Sequence, residues 1–421
     1  MKQINLNAQK GFRDLYPKDK TIQNYIFKKL RETASLFGFE EYDGPLVENI
    51  NLYLEKSSKD LVENQTFQLT SRKEDEQLVL RPEMTPTLAR MIASKENELI
   101  FPLKLFNLGL RYRYEAPQKC REREFYQADF DILGTNLSLA DAEILNVVVN
   151  LFLSFGAKQE DFTVYINSRK YIEESMKKVG IVDKELQKEV INLIDKKDKL
   201  TTEKFTENIS KLNLNKSQND WINSLKISDL KDSYFFSELT EQLKILGIEK
   251  YIKFNPLIVR GLDYYTDLVF EVKSSDLNRS LLGGGRYDNL ISYFGGKNNI
   301  SGVGFATSDV VLWQFLLDKK LVPNLTPKTS KILVTIFAED LIEESIKMTQ
   351  YLRRLNIATE LYLDPTKKLD KQLKYANQNN IPFVLILGPE EKEKGKVKIK
   401  DMKTGEQKEV KTDEITLLVS S

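Results

Sequence analysis

The chain has 421 residues, enough for two or three domains of ordinary size. Hydrophobic residues make up 41% and charged residues 30%, which is typical of globular proteins. The sequence contains no run of about 18 apolar residues, so no membrane span is predicted. The first residues show neither an apolar stretch nor a cleavage-site pattern, so a cytoplasmic location is expected. The net charge of +1 neither requires nor excludes a nucleic-acid partner, because such binding depends on local clusters of charge.

Two residue counts restrict the chemistry further. The single cysteine, Cys120, excludes an internal disulfide and a zinc site built from thiolates. The chain has no histidine, which removes the commonest general base and the commonest metal ligand. Catalysis must therefore rely on carboxylates, arginine, lysine, tyrosine, backbone groups or a metal ion carried by the substrate.

The amino-terminal part predicts two helices. Apolar residues at helical spacing predict an amphipathic helix over about 19–37, which Gly38 can end. A second helix is expected after Pro86, with Leu88 and Ile92 on one face.

Two segments with alternating apolar and polar residues predict neighbouring strands, Lys104–Glu115 and Phe125–Gly134. One face of each is apolar. The opposite face carries Asn107, Gly109, Arg111, Arg113 and Glu115 on the first strand and Gln127, Asp129 and Asp131 on the second. The intervening loop adds Gln118, Lys119, Arg121 and Arg123. Antiparallel pairing would bring arginines and carboxylates together on one face of a sheet.

The middle of the chain changes in composition. Residues 170–250 are rich in charged and amide residues with Ile and Leu at helical intervals, which predicts a helical insertion. A strand is expected within Pro256–Val272 and a helix at Ser308–Leu317. Between them, the glycines at 283–285 would permit close approach of the backbone to a ligand, although a plain turn would look the same.

The last hundred residues predict a separate small domain. Residues 318–330, with Pro323 and Pro327, have the character of a linker. Strand and helix patterns then alternate, and a hairpin is expected around Lys403–Glu406. This order is typical of an α/β domain with a largely parallel sheet.

Several segments together resemble the signature sequences of the histidyl-tRNA synthetases, which are class II aminoacyl-tRNA synthetases. They are Gly11–Pro17, Arg81–Thr85, Arg113–Gln118, Phe125–Asp131, Val259–Thr266 and Gly284–Asp288. The resemblance covers nearly the whole chain, and Val259–Thr266 is its most specific part. It implies an α+β fold: a class II catalytic domain over 1–322 with a central antiparallel sheet and the insertion at about 170–250. It also implies a linker at 323–330 and an anticodon-binding α/β domain over 331–421.

The resemblance implies ATP-dependent ligation of L-histidine to its cognate tRNA through a histidyl-adenylate. The attacking carboxylate is already ionised, so the catalyst needs to align two anions and stabilise the charge that grows on phosphorus. Guanidinium groups suit this task, since they stay protonated and bind phosphate with two hydrogen bonds. Arg113 and Arg260 are the candidates for the α-phosphate and the carboxylate; the alternatives are a solvated Arg113 and a structural ion pair between Arg260 and Asp263.

The family resemblance also implies the residues of each subsite. The expected histidine pocket consists of Glu83, Thr85, Gln127, Asp131, Tyr265 and Tyr287. The expected ATP-binding residues are Arg113, Glu115, Arg121 and Phe125. In these subsites Asp131 would accept from a ring N–H, Phe125 would stack on adenine and Glu115 would accept from its amine. Gln118 would contact the tRNA, and no metal is expected beyond Mg²⁺ carried by ATP.

The expected partners are the acceptor stem and anticodon of tRNA, histidine, ATP and a second copy of the chain, with neither DNA nor a membrane among them. Pro45 lies in a segment that resembles the family's dimer-interface motif. The absence of histidine fits three explanations: selection for synthesis when charged histidyl-tRNA is scarce, compositional drift, or redesign of the sequence.

The chain departs from the family pattern at two positions. Val311 stands where an arginine that binds the ATP γ-phosphate is expected, and Cys120 replaces a residue that is usually glycine. The missing arginine leaves open a non-catalytic paralogue, either a regulatory subunit of ATP phosphoribosyltransferase or a sensor of histidine or tRNA. Such regulatory subunits generally lack the carboxy-terminal domain predicted here, which favours the synthetase.

Overall fold

The computed structural model describes residues 5–54, 64–71, 76–195, 197, 200–230, 234–258, 265–274, 276–277 and 279–419. Contacts within the chain divide it into two compact units, Met1–Pro323 and Asn324–Ser421. No helix among the described residues is both long enough and apolar enough to cross a bilayer.

The first unit is a mixture of helices and strands. Its α-helices are α1 (Pro17–Leu36), α2 (Asn51–Leu54), α3 (Thr85–Lys95), α4 (Ser138–Ser154), α5 (Arg169–Lys178), α6 (Lys184–Asp195), α7 (Thr202–Ser210), α8 (Lys216–Ser224), α9 (Ser237–Ile245), α10 (Leu290–Tyr293) and α11 (Asp309–Asp318). Its strands are β1 (Glu40–Glu41), β2 (Val47–Asn49), β3 (Phe67–Leu69), β4 (Leu78–Leu80), β5 (Leu103–Tyr112), β6 (Glu124–Leu133), β7 (Thr163–Ser168), β8 (Ser228–Asp229), β9 (Ile252–Phe254), β10 (Leu268–Lys273), β11 (Ser280–Arg286) and β12 (Gly302–Ser308).

A nine-stranded sheet organises this unit. The strand order is β1-β5-β6-β12-β11-β10-β7-β9-β8, and a smaller sheet has the order β2-β4-β3. The strands from β5 across to β7 pair antiparallel, whereas β1 and β9 join their neighbours in parallel. The predicted central antiparallel sheet is therefore confirmed.

The apolar face of the sheet packs under helices. Phe130 on β6 stacks against Phe305 on β12 with ring centroids 4.8 Å apart. Leu30 of α1, Phe152 of α4 and Phe315 of α11 join the same buried cluster. Burying such side chains stabilises the fold by roughly 1.5–3 kcal/mol each. The helices cover this face and leave the opposite face available for a cleft.

The predicted helices of the amino-terminal part are confirmed. Helix α1 begins at Pro17. Proline is favourable at this position because the N–H that it lacks would have no hydrogen-bond partner in the first turn. The chain leaves α1 through Gly38, whose φ of +72° belongs to the left-handed region. Helix α3 carries Pro86 in its first turn for the same reason as α1.

The strand expected within Pro256–Val272 is wrong in its first part. Residues 256–257 form a turn, and β10 begins only at Leu268. The side chain of Asn255 accepts a hydrogen bond from the backbone N–H of Leu257 at 3.0 Å, which favours a turn over an extended chain. Residues 259–264 lie outside the described part.

Helices α5 to α8, with a buried cluster of their own that includes Ile172, Met176 and Ile222, occupy the region of the predicted insertion. Ser168 ends β7 and caps α5, since its hydroxyl accepts from the N–H of Tyr171.

The second unit contains β13 (Ile332–Val334), α12 (Ile342–Arg354), β14 (Thr359–Leu361), α13 (Leu369–Gln378), β15 (Phe383–Ile386), α14 (Pro389–Glu393), β16 (Val397–Asp401), β17 (Gln407–Val410) and α15 (Ile415–Val419). Its sheet has the order β14-β13-β15-β16-β17. The first three strands are parallel, and β16–β17 is the predicted antiparallel hairpin. Ile332 and Leu333 contribute to separate buried clusters, as expected for a sheet covered on both faces.

Candidate active site

A cleft of about 390 Å³ opens against β6, β11 and β12 and the segment that follows β5. The predicted residues that line it are Glu83, Thr85, Arg113, Glu115, Arg121, Phe125, Gln127, Asp131, Tyr265 and Tyr287. The structure thus brings together ten of the predicted residues. Gln118 does not line the cleft, and Arg260 lies outside the described residues.

The deepest part of the cleft surrounds the carboxyl group of Asp131. The hydroxyl of Tyr287 donates a hydrogen bond to Asp131 Oδ1. Burial raises the pKa of Asp131 to about 8, and the nearby charge of Asp129 adds to the rise, while the hydrogen bond from Tyr287 opposes it. This carboxyl is therefore neutral at pH 7 and can either donate a hydrogen bond to a polar ligand or accept one from it.

A buried ion pair supports the floor of the cleft. Arg111 Nη2 lies 2.8 Å from Asp129 Oδ2 and 2.6 Å from Asn107 Oδ1. Asp129 Oδ1 also accepts from Gln127 Nε2 at 2.7 Å, so the orientation of Gln127 is fixed from below. Arg111 is fully buried, and burial lowers the pKa of its guanidinium. Asp129 lines the cleft and Arg111 does not, so the pair holds the Asp129 carboxylate in place from beneath.

Arg113 follows β5 directly and extends along the cleft. Its Nε donates to the carbonyl oxygen of Pro82 at 2.9 Å, and its guanidinium lies 5.5 Å from the ring centroid of Phe125. Among the described residues no carboxylate forms an ion pair with it. Its charge is therefore available to an anion.

Glu115 and Arg121 face each other across the base of the loop after β5. Arg121 Nε lies 2.6 Å from Glu115 Oε2, but the two atoms are out of line for a hydrogen bond. Both atoms are buried and make no hydrogen bond within the described chain. Buried polar groups of this kind are costly unless a ligand or water completes them, which indicates a binding site.

The tip of this loop is a tight turn. Gln118 and Arg121 exchange two backbone hydrogen bonds, and Cys120 has a φ of +63°, in the left-handed region that favours glycine. Gln118 is exposed there. Its expected role in contacting tRNA stays a prediction.

The glycines at 283–285 differ from the expectation. Only Gly283 lines the cleft. A Cβ at Gly284 would collide with the carbonyl oxygen of Gly304, and one at Gly285 would lie 2.7 Å from the ring of Tyr265. Two of the three glycines therefore serve packing within the sheet and behind Tyr265, because β10, β11 and β12 approach closely there.

The site contains residues that sequence reasoning missed. Asp129 and Arg111 stood on the predicted polar face, but alternation alone could not show that this face is buried and that they pair. Arg279, Val310 and Val311 also line the cleft. No spacing signal pointed to Arg279, since it follows an irregular connection between β10 and β11.

Two family models match the chain. The model described as histidyl-tRNA synthetase matches residues 11–309, and the model described as anticodon binding domain matches residues 326–420. A histidine–tRNA ligase of Leptospira biflexa is 35% identical over 418 residues, covering 96% of this chain and 95% of the relative. A histidine–tRNA ligase of Thermococcus kodakarensis is 33% identical and covers 97% of both chains.

Solved structures share the fold. The crystal structure of histidyl-tRNA synthetase from Nostoc sp. PCC 7120 superposes with a TM-score of 0.82 at 24% identity, covering 99% of both chains. A Bacillus halodurans structure described as an ATP phosphoribosyltransferase regulatory subunit/histidyl-tRNA synthetase gives 0.74 at 23% identity, covering 89% of this chain and 97% of the other. The antiparallel sheet, its cleft and the carboxy-terminal α/β unit define a class II aminoacyl-tRNA synthetase.

The family model spans residues 11–309, and the Leptospira and Thermococcus relatives match over almost their full length. The chain belongs to the histidyl-tRNA synthetase family.

Proposed function

We propose that the chain activates L-histidine with ATP and transfers it to the 3′ end of its cognate tRNA. One observation carries this proposal: Arg113, Glu83, Gln127 and Asp131 line a single cleft in a member of the histidyl-tRNA synthetase family. The second family match, over residues 326–420, favours a tRNA-binding enzyme over a regulatory subunit without such a domain.

In this proposal the histidine side chain enters beside Asp131. Asp131 exchanges a hydrogen bond with a ring nitrogen, while Gln127 and the buried carboxylate of Glu83 bind the α-ammonium group. Thr85, Tyr265 and Tyr287 complete the pocket. Such a pocket discriminates strongly, because an amino acid without matching ring nitrogens leaves buried polar groups unpaired.

ATP occupies the other end of the cleft. Phe125 stacks on adenine, and the Glu115 carboxylate, which pairs with Arg121, accepts from the exocyclic amine. Arg113 and Arg121 bind phosphate oxygens, with Arg113 on the α-phosphate where negative charge grows in the transition state. Arg260 is proposed to orient the histidine carboxylate. Mg²⁺ arrives with ATP; among the described residues no cluster of three acidic or cysteine side chains offers a resident metal site.

This chemistry needs no general base. The nucleophile is a carboxylate that is ionised at neutral pH, so the work of the protein is alignment and charge stabilisation. A chain without histidine can perform it fully.

Pyrophosphate exchange with each amino acid in turn tests the proposal. Exchange should depend on histidine, and aminoacylation should require its cognate tRNA. Arg113→Ala should lower exchange about 10²- to 10³-fold while histidine affinity stays within about threefold. Arg31→Ala is the matched control, since Arg31 forms an exposed ion pair with Glu41 outside the cleft. If the unaltered protein binds histidine but shows no pyrophosphate exchange, it is a histidine sensor rather than a ligase.

We further propose a cytoplasmic homodimer that binds both the acceptor stem and the anticodon of tRNA. The segment around Pro45, which resembles the dimer motif of the family, supports the dimer. Sedimentation of the purified protein tests it, and a monomer at micromolar concentration would contradict it.

A further inference from the structure

Among the described residues three arginines line the cleft, and their partners differ. Arg121 faces the carboxylate of Glu115. Arg113 and Arg279 bond only to backbone carbonyl oxygens, those of Pro82 and Cys120, among the contacts of the described residues. Carbonyl bonds orient a guanidinium without neutralising it. Glu115 and Glu122, of the loop that carries Arg121, also line the cleft, so three guanidiniums stand against two carboxylates there.

Arg279 is held in place from both sides of its loop. On one side Leu277 is buried in the main core, and Asp276 pairs with Lys319 at 2.6 Å. On the other side the hydroxyl of Ser280 donates to the carbonyl oxygen of Leu282 at 2.6 Å. Arg279 Nη1 then donates to Cys120 at 2.7 Å. A long side chain anchored this way loses less conformational freedom when it binds a ligand.

The electrostatic surroundings of Arg279 are unfavourable without an anion. Burial lowers the pKa of its guanidinium, and the charges of Arg121 and Arg113 lower it further, while Glu115 opposes them. Like charges gathered in a half-buried cleft are repulsive unless an anion lies among them. ATP is a polyanion of suitable charge.

Among the described residues that line the cleft, α11 contributes no cation. Val310 and Val311, at the start of α11, line the cleft with apolar side chains. A triphosphate bound there would obtain its positive charge from the loop that carries Arg279 rather than from α11.

We propose that Arg279 binds the β- and γ-phosphates of ATP and supplies the charge that position 311 lacks. The inference rests on the proposed function, because it takes ATP as the substrate of this cleft. The bond to Cys120 couples Arg279 to the loop that carries Arg121, so the two guanidiniums approach the phosphates together.

The test compares ATP with AMP, which lacks the two outer phosphates. Arg279→Gln keeps a side-chain donor for the Cys120 carbonyl and removes the charge. It should weaken Mg²⁺–ATP binding about tenfold or more in calorimetry, while AMP and histidine affinities stay within about twofold. The ATP affinity of Arg279→Lys should lie between those of the unaltered protein and Arg279→Gln, since lysine keeps the charge but lacks the planar guanidinium. Arg353→Ala, which removes a similar guanidinium–carbonyl bond in the second unit, should leave ATP binding unchanged.

Equal weakening of ATP binding and AMP binding in Arg279→Gln would mean that Arg279 only stabilises the loop, and would overturn the proposal. Unchanged ATP affinity would overturn it as well. Histidine-dependent exchange by the unaltered protein is measured separately. Its absence would reject the ligase, whereas the comparison of ATP with AMP would still decide where Arg279 acts.

Discussion

At the scale of single residues, the floor of the cleft places three ionisable groups out of water. Arg111 and Asp129 neutralise each other, whereas Asp131 accepts a hydrogen bond from the Tyr287 hydroxyl and holds its proton to about pH 8. A neutral carboxyl costs less to bury than a carboxylate. The protonation of Asp131 is therefore linked to the stability of the folded state.

Asp131 should make stability fall as pH rises. The pKa of its carboxyl is the ordinary 3.8 in the unfolded state and about 8 in the folded state. Between these values only the unfolded state releases the proton, so the free energy of unfolding should fall by up to roughly 1.4 kcal/mol per pH unit. Asp131→Asn, which can still accept from Tyr287, should lack this slope. Urea unfolding of both proteins at pH 5, 6, 7 and 8 measures it, and Asp141, with a pKa of about 6, affects both equally. Parallel curves would contradict the prediction.

The Arg111–Asp129 pair should be sensitive to loss of one partner. Asp129→Asn leaves the guanidinium buried without its counter-charge, so the free energy of unfolding should fall by about 3–5 kcal/mol. Glu41→Gln removes the exposed pair with Arg31 and should cost less than about 1 kcal/mol. Chemical denaturation of both variants tests the contrast; similar small losses would show that water reaches Arg111.

Alternation of polar and apolar residues predicts which face of a strand a residue occupies, but not how deeply it is buried. Period-two alternation placed Gln127, Asp129 and Asp131 on one face because side chains on a strand point to alternate sides. It could not tell a ligand-binding residue from a supporting one, since that depends on depth below the surface. Asp129 and Asp131 both line the cleft, but Asp129 pairs with the buried Arg111, whereas Asp131 accepts a hydrogen bond from Tyr287.

At the scale of elements, one buried carboxylate joins four segments of the chain. Asp309 at the start of α11 accepts from Arg13 at 2.8 Å, from Gln23 of α1 at 2.8 Å and from the backbone N–H of Tyr126 on β6 at 3.0 Å. These bonds fix α11, and with it Val310 and Val311, relative to the strand that carries Gln127. The arrangement positions the apolar wall of the cleft.

Asp309→Asn should loosen this junction. The amide nitrogen would oppose donors that the carboxylate accepts, so we expect a loss of about 3 kcal/mol in the free energy of unfolding. Glu32→Gln on the exposed side of α1 is the control and should change stability by less than about 1 kcal/mol. Protection of α11 amides from hydrogen exchange should fall in the first variant alone. Unaltered protection would mean that packing of Phe315 and Leu316 suffices.

Element prediction succeeded where periodicity was long and failed where the chain turned. The ten-residue strands β5 and β6 gave a clear pattern, and both lie within two or three residues of their predicted ends. The turn at Pro256 has an apolar composition like that of a strand, and the hydrogen bond to Asn255 that decides against a strand has no periodic signature. Arg279 follows such an irregular segment, which is why it escaped notice.

At the scale of the whole molecule, each compact unit has a hydrophobic core of its own. Every residue that lines the cleft belongs to the first unit, and the sheet of the second unit is covered by its own helices. Activation of an amino acid and recognition of a distant part of tRNA can therefore reside in separate units.

A fragment of residues 1–323 should keep histidine-dependent pyrophosphate exchange within about tenfold of the full chain, since domains with their own core can fold alone. It should aminoacylate tRNA at least about a hundredfold less efficiently, because the unit matched to anticodon binding is missing. Both assays on one preparation separate the two effects. Loss of exchange in a fragment that still unfolds cooperatively would show that the second unit supports the cleft.

The histidine pocket proposed beside Asp131 and Tyr287 would receive an imidazole ring that the polypeptide itself lacks, because the sequence contains no histidine. Any imidazole resonance in a proton spectrum of the complex must then come from the bound amino acid. The free ring titrates near 6.5. Its shift on binding would report which partner holds the shared proton, with no other imidazole signal from the protein.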